Sequence, residues 1–87
     1  MLQPDAFLAI ADTHRRSLLE ELRRGPKTVN ELAKDLPVSR PAVSQHLKVL
    51  LDAGLVSARA QGTRRIYMIS SEGFLKLNIW LDQFWQE

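Results

Sequence analysis

Cysteine is absent from the 87-residue chain. That excludes disulfides, thiolate nucleophiles and cysteine-based zinc sites, and it agrees with a reducing compartment, so a cytoplasmic location is expected. No stretch approaches the roughly 20 apolar residues of a membrane span, and no membrane partner is expected. Residues Met1 to Ala11 do not combine a basic start with a long apolar run, so no secretory leader is expected either. Length is also scarce. The chain is expected to form one domain, residues 1–87. A domain of this size buries about 60–65% of the surface its unfolded form exposes, which leaves a thin margin of stability. Without disulfides, association with a second copy is the remaining way to gain burial.

Charge, by contrast, is present and unevenly placed. The formal net charge is only +2. Residues 1–36 carry six basic and six acidic side chains, so they balance. Residues 37–70 carry Arg40, Lys48, Arg59, Arg64 and Arg65 against Asp52 alone. Residues 71–87 carry Lys76 against Glu72, Asp82 and Glu87. The positive excess therefore sits in one middle block, as expected if one surface faces a polyanion. A basic loop that is merely solvated has the same charge pattern.

Capping and turn residues divide the chain into elements. A first short helix is predicted over Pro4–Ala11. Asp12 caps a second, in which Leu18, Leu19 and Leu22 recur at helical spacing. Arg23 and Arg24 suit its last turn, Gly25 can take a left-handed cap, and Pro26 blocks continuation. Thr28 and Glu31 form a capping box for a third helix, which Pro37 ends near Asp35. Ser39 caps a fourth, with Pro41 tolerated in its first turn. Val43, Leu47, Leu50 and Leu51 face inward along it, and Gly54 closes it. A turn of about three or four residues between the third and fourth helices makes a helix-turn-helix. Val56–Ala60 and Arg65–Ile69 then read as strands around a Gln61-Gly62-Thr63 turn, a hairpin wing. A last helix starts at Ser70 or Ser71 and runs to about Gln86. The expected fold class is mostly α with a small β-hairpin, a winged helix-turn-helix in the order four helices, two strands, one helix.

On the last helix Phe74, Leu77, Leu81, Phe84 and Trp85 form one wide apolar stripe, with Trp80 at its shoulder and Leu75 and Ile79 outside it. So short a chain hardly covers that much apolar surface. About half of the stripe is expected to pack on the domain's own core, and the seam of a homodimer is expected to draw on Phe74, Leu77, Trp80, Leu81, Phe84 and Trp85 together with Phe7 and Leu8 of the first helix.

The fourth helix leaves Ser39, Arg40, Pro41, Ser44, Gln45 and Lys48 facing away from the core. A helix of this width enters the major groove of double-stranded DNA, and its N-terminal turns reach base edges best. Gln45 suits adenine, Arg40 guanine, Ser44 a base or a phosphate, and Lys48 a phosphate. In the wing, Arg59, Thr63, Arg64 and Arg65 surround the tip, where arginines reach the negative potential of a narrow minor groove. Arg16 offers a further phosphate contact, with Glu20 at i+4 as its alternative partner. Catalysis is not expected. Ser44 and His46 are two apart on a helix and cannot face each other, and no Gly-rich phosphate loop or paired-carboxylate pocket is present. A winged helix serving only as a protein-interaction or assembly module is the alternative. It gives no reason to gather these polar and cationic residues on one helix and one hairpin.

The run Val29-Asn-Glu-Leu-Ala, then Ser39-Arg-Pro-Ala-Val-Ser-Gln-His-Leu-Lys-Val-Leu and Ala53-Gly-Leu-Val, resembles the ArsR/SmtB family of bacterial winged-helix repressors. Ile10-Ala-Asp-Thr-His-Arg-Arg and Gly62-Thr-Arg-Arg-Ile-Tyr resemble that family's second-helix start and wing, and the likeness spans about residues 6–70. It implies a homodimer built from the first and last helices, which sets two recognition helices on a pseudo-palindromic operator. Thr13 stands where the family usually has proline. Metal-sensing members ligate through cysteines in the third helix or Asp and His on the last. Here the third-helix stretch is Glu31-Leu-Ala-Lys-Asp-Leu, and the chain's two histidines, His14 and His46, lie outside both places. His46 is expected to pack or hydrogen-bond beneath the reading face. The resemblance thus implies the metal-independent, autorepressor-like branch, which the ending Trp80-Leu-Asp-Gln-Phe-Trp also resembles. No metal and no cofactor are expected, and the resemblance specifies no inducer, small-molecule or protein.

Overall fold

The computed structural model describes residues 5–85. Helix α1 (Ala6–Ala9) opens where the Asp5 carboxylate accepts the Leu8 N–H at 2.7 Å. It is shorter than the predicted Pro4–Ala11: Pro4 lies outside the described residues, and residues 10–11 form a turn. Asp12 then caps α2 (Thr13–Arg23), accepting the Arg15 N–H at 3.0 Å. At the far end Gly25 has a φ of +145°, not the left-handed helical value expected of a cap, so the chain leaves α2 extended. That extension becomes β1 (Lys27–Thr28), a strand absent from the sequence prediction.

The capping box forms as predicted and starts α3 (Val29–Lys34). The Thr28 hydroxyl accepts the Glu31 N–H at 3.2 Å, and the Glu31 carboxylate accepts the Thr28 N–H at 2.9 Å. Ser39 caps α4 (Arg40–Asp52) through the Ala42 N–H at 3.2 Å. The exit from α4 is a complete Schellman turn. Gly54, at φ +79°, donates its N–H to the Leu51 carbonyl, and the Leu55 N–H reaches the Leu50 carbonyl, both at 3.0 Å. Leu55 is fully buried, so the turn is anchored by a side chain as well as by hydrogen bonds.

β2 (Val56–Gln61) and β3 (Arg64–Ile69) are each one residue longer than predicted and meet through a two-residue turn, Gly62-Thr63. Gly62 has φ +64° and Thr63 does not have positive φ, the sign pattern of a type II′ hairpin turn. The sheet has the antiparallel order β1-β3-β2, with Lys27 opposite Tyr67 and Val56 opposite Ile69. Helix α5 (Ser71–Asp82) follows, starting after Ser70 without a side-chain cap; it is shorter than the predicted run to Gln86, because residues 83–85 form a turn, and Gln86 itself lies outside the described residues.

The core gathers Leu18, Leu22, Leu32, Val43, Leu47, Leu50 and Leu55 beneath Tyr67 of the sheet. Each buried leucine contributes about 1.5–3 kcal/mol relative to exposure. Helix α5 joins at one tight point. The Ser70 N–H donates to the Leu55 carbonyl at 3.0 Å, and a Cβ placed on Gly73 would stand 2.0 Å from the Gly54 carbonyl oxygen. Only glycine permits this approach. No helix among the described residues is long and apolar enough to cross a membrane.

Candidate nucleic-acid interface

Helix α4 is held from below. Val43, Leu47 and Leu50 are each fully buried, which forces Arg40, Pro41, Ser44, Gln45 and Lys48 into solvent, with the exposed Ser39 at the helix start. The predicted outward set is therefore the observed one. Lys48 Nζ lies 3.3 Å from Asp52 Oδ2 in an exposed i,i+4 pair. Such pairs contribute only about 0.3–0.5 kcal/mol, so Lys48 remains available to an external anion.

In the wing, Arg59, Thr63, Arg64 and Arg65 are all exposed. Strand register divides them. Arg64 pairs with Gln61 and Arg59 with Ile66, so Arg59 and Arg64 share one face of the hairpin. Arg65, opposite Ala60, lies on the other, the face that carries Tyr67 inward to the core. An open groove runs between wing and helix, lined by Arg40 and Ser44 from α4 and by Thr63, Arg64 and Arg65 from the wing. Among the described residues, Arg40, Arg59, Arg64 and Arg65 make no ion pair. The groove is cationic, and its arginines are not locked into ion pairs, although the Arg64 charge is felt by the Glu31 carboxylate.

Arg16 behaves otherwise. Its Nη1 donates to the Ile10 carbonyl at 2.7 Å, and no contact with Glu20 forms among the described residues. Neighbouring Arg15, which the sequence does not single out, ties three segments together. Its Nε donates to the Ala9 carbonyl at 2.7 Å, Nη2 to the Leu8 carbonyl at 3.2 Å, and Nη1 lies 3.3 Å from His46 Nδ1. A four-residue helix leaves its last carbonyls without intrahelical donors; the Ala11 N–H reaches that of Leu8 at 3.2 Å, and the two guanidiniums supply those of Ala9 and Ile10, with Arg15 adding a second donor at Leu8. His46 thus makes its hydrogen bond beneath the exposed face, as expected. The two histidines, however, are not separate: one ligand atom each from Asp12, His14 and His46 lies within 4.8 Å of the others. The Arg15 backbone N–H holds the Asp12 carboxyl below its ordinary pKa, and the charges of His46 and Arg15 act in the same direction.

A second, apolar face lies on α1, α5 and the turn that follows α5. Phe7 meets Trp80 edge-on at 4.7 Å, and Trp80 meets Phe84 at 4.7 Å. Leu8, Phe84 and Trp85 are 60–65% exposed. The predicted stripe needs correcting at its inner edge: Leu77 is buried within the chain and Phe74 packs against the core, while Leu81 is half-buried. Leu75 and Ile79, which the helical wheel leaves outside the stripe, are exposed at 58% and 61%. The uncovered surface is therefore shifted around α5.

Residues 12–58 match the family described as bacterial regulatory protein, arsR family. The chain belongs to the arsR family. It is accordingly a winged-helix transcriptional regulator, and the sequence resemblance is borne out at that level. It is 57% identical over 83 residues to the "HTH-type transcriptional regulator Rv2034" of Mycobacterium tuberculosis, covering 94% of this chain and 78% of that one. A crystal structure of a "possible transcriptional regulator for arsenical resistance" superposes with a TM-score of 0.85 at 40% identity, over 100% of this chain and 88% of the other. The solution structure of a homodimeric winged helix-turn-helix DNA-binding domain from Mycobacterium bovis superposes with a TM-score of 0.70 at 28% identity, over 90% of this chain and 76% of that one.

Proposed function

We propose that this arsR-family chain is a sequence-specific DNA-binding repressor that acts as a homodimer on a pseudo-palindromic operator. One observation carries the reading: Arg40 and Ser44 of α4 open onto the same groove as Arg64 and Arg65 of the wing, and among the described residues none of these three arginines is held in an ion pair. Arg40, Ser44 and Gln45 are assigned to base edges, with Ser39, Pro41 and Lys48 beside the backbone. Arg59, Thr63, Arg64 and Arg65 follow the adjacent minor groove and its phosphates. Arg16, already engaged by the Ile10 carbonyl, is given no direct role.

Pairing through the α1–α5 face, with Phe7, Leu8, Trp80, Leu81, Phe84 and Trp85 between subunits, brings two α4 helices to half-sites about 34 Å apart. The M. bovis neighbour, described as homodimeric, supports the pairing of two copies. With no cysteine in the chain and no histidine after residue 46, repression proceeds without a metal on the third or last helix. One domain serves both recognition and pairing, in the cytoplasm where its operator lies.

The test is a mobility-shift titration against the protein's own promoter region at several salt concentrations. Specific affinity should fall steeply as salt rises, because each phosphate contact releases bound counterions. Absent binding, or binding indifferent to salt, would replace the reading with a protein-interaction module.

A further inference from the structure

We infer that Asp12, His14 and His46 form a binding site for a divalent transition metal of the zinc type, at the seam between the start of α2 and the middle of α4. This departs from the expectation, drawn from the sequence, that the chain holds no metal. The site lies on neither the third nor the last helix and uses no thiolate. His14 and His46 are 32 positions apart in sequence, and the packing of α2 against α4 is what joins them.

Geometry comes first. One ligand atom from each residue lies within 4.8 Å of the other two, and the imidazole centroids are 5.8 Å apart. Around a tetrahedral zinc with bonds of about 2.0–2.2 Å, neighbouring ligand atoms stand roughly 3.4 Å apart. Small χ rotations close that difference. All three side chains are half-buried, so the site is partly shielded yet open to a water as fourth ligand.

The donor set gives the metal class. Two imidazoles and one carboxylate suit Zn(II), Co(II), Ni(II) or Cu(II), whereas Mg(II) and Ca(II) require oxygen donors. Asp12 is available despite its capping role. Oδ1 accepts the Arg15 N–H at 3.0 Å, while the His14 backbone N–H acts only weakly on the same carboxylate. The cap therefore fixes the carboxylate in place and leaves one oxygen for a cation.

Arg15 is the built-in competitor. Its Nη1 lies 3.3 Å from His46 Nδ1. A metal on Nδ1 takes the place of the guanidinium. A metal on Nε2 leaves the proton on Nδ1, where it faces an N–H donor. In either case the metal and the Arg15–His46 contact exclude each other. Occupancy would therefore release one arm of the side chain that ties the end of α1 to α4, one position from Gln45. The site stands whether or not the chain reads DNA, and its readout is metal uptake alone.

The experiment titrates full-length, chelator-treated protein with Zn(II) against a chromophoric competitor, and with Co(II) while recording its visible absorption. One metal per chain is expected, with the intense Co(II) bands of a four-coordinate site. Losing an outer partner of a metal ligand typically weakens binding 10–100-fold, so His14→Gln and His46→Gln, which lose a ligand outright, should each cost about 100-fold. Asp12→Asn keeps the helix cap and should also weaken uptake. Arg15→Met should tighten it, a gain that general unfolding does not produce. Absence of stoichiometric uptake by the folded wild-type protein overturns the site. So does wild-type affinity in a folded His14→Gln/His46→Gln double variant.

Discussion

Arg15-Arg16 at the start of α2 and Arg64-Arg65 at the start of β3 are identical dipeptides in opposite circumstances. At the α1–α2 junction, the four-residue helix ends with its Leu8, Ala9 and Ile10 carbonyls reached by arginine side chains. In the wing, β2 and β3 pair from Val56–Ile69 out to Gln61–Arg64 and the outward carbonyls of the exposed hairpin are open to water, so the backbone makes no such demand. Arg64 and Arg65 remain in solvent. An arginine is free to meet a polyanion when nearby main-chain acceptors are already satisfied. Charge counting along the sequence does not see this difference.

The comparison can be tested at both ends. The largest effect is expected from splitting the dimer. Phe84→Glu places a charge on a side chain that is 65% exposed in the subunit, so it should fold and yet run as a monomer by light scattering. Linked binding gains about 10²–10⁴-fold over a single module, so operator affinity should drop by roughly 10³-fold. A variant that stays dimeric would remove Phe84 and the turn after α5 from the interface. Next comes the wing. Arg64→Ala/Arg65→Ala should lower operator affinity by about 3 kcal/mol and flatten the log–log salt dependence by about 2, with little change in the melting curve.

The junction arginines should show the reverse pattern. Arg15→Met should cost about 2 kcal/mol of folding stability in urea titrations, since it leaves partly buried acceptors unpaired, while the salt slope of DNA binding stays unchanged. For Arg16→Ala the loss should be about 1 kcal/mol or less, again without a change in slope. A flattened slope in either variant would erase the contrast between the two dipeptides. The smallest effect concerns Glu31. Hydrogen bonds from the Thr28 backbone and hydroxyl depress its pKa below 4.5, with the Lys27 and Arg64 charges assisting. The capping box is therefore fully stabilising above pH 4.5 and is lost as pH falls through the lowered value. Melting temperatures followed from neutral to acidic pH should decline less in Glu31→Gln than in wild type.

Local devices account for what was legible in the sequence. Thr28 with Glu31, Ser39, Gly54 and Gly62 each act within a few residues, so α3, α4 and the hairpin are recognisable without tertiary information. The outward set on α4 follows from the same logic, because Val43, Leu47 and Leu50 mark the buried side. What escaped depends on partners distant in the chain. A strand of two residues has no period, and β1 exists only because β3 pairs with it. The wheel for α5 locates an apolar arc but not which part of it the core will cover, hence the shift from Phe74 and Leu77 toward Leu75 and Ile79. Arg15 and the Asp12–His14–His46 cluster require α1, α2 and α4 to meet.

Gly73 rests on the carbonyl of Gly54 with no room for a methyl group. Gly54 ends the helix that carries Gln45, and Gly73 begins the one that carries Trp80. The angle between reading head and handshake is thus set by a missing carbon atom. In the proposed dimer, enlarging Gly73 would force α5 away from the end of α4 and so change the stride between the twin heads along the duplex.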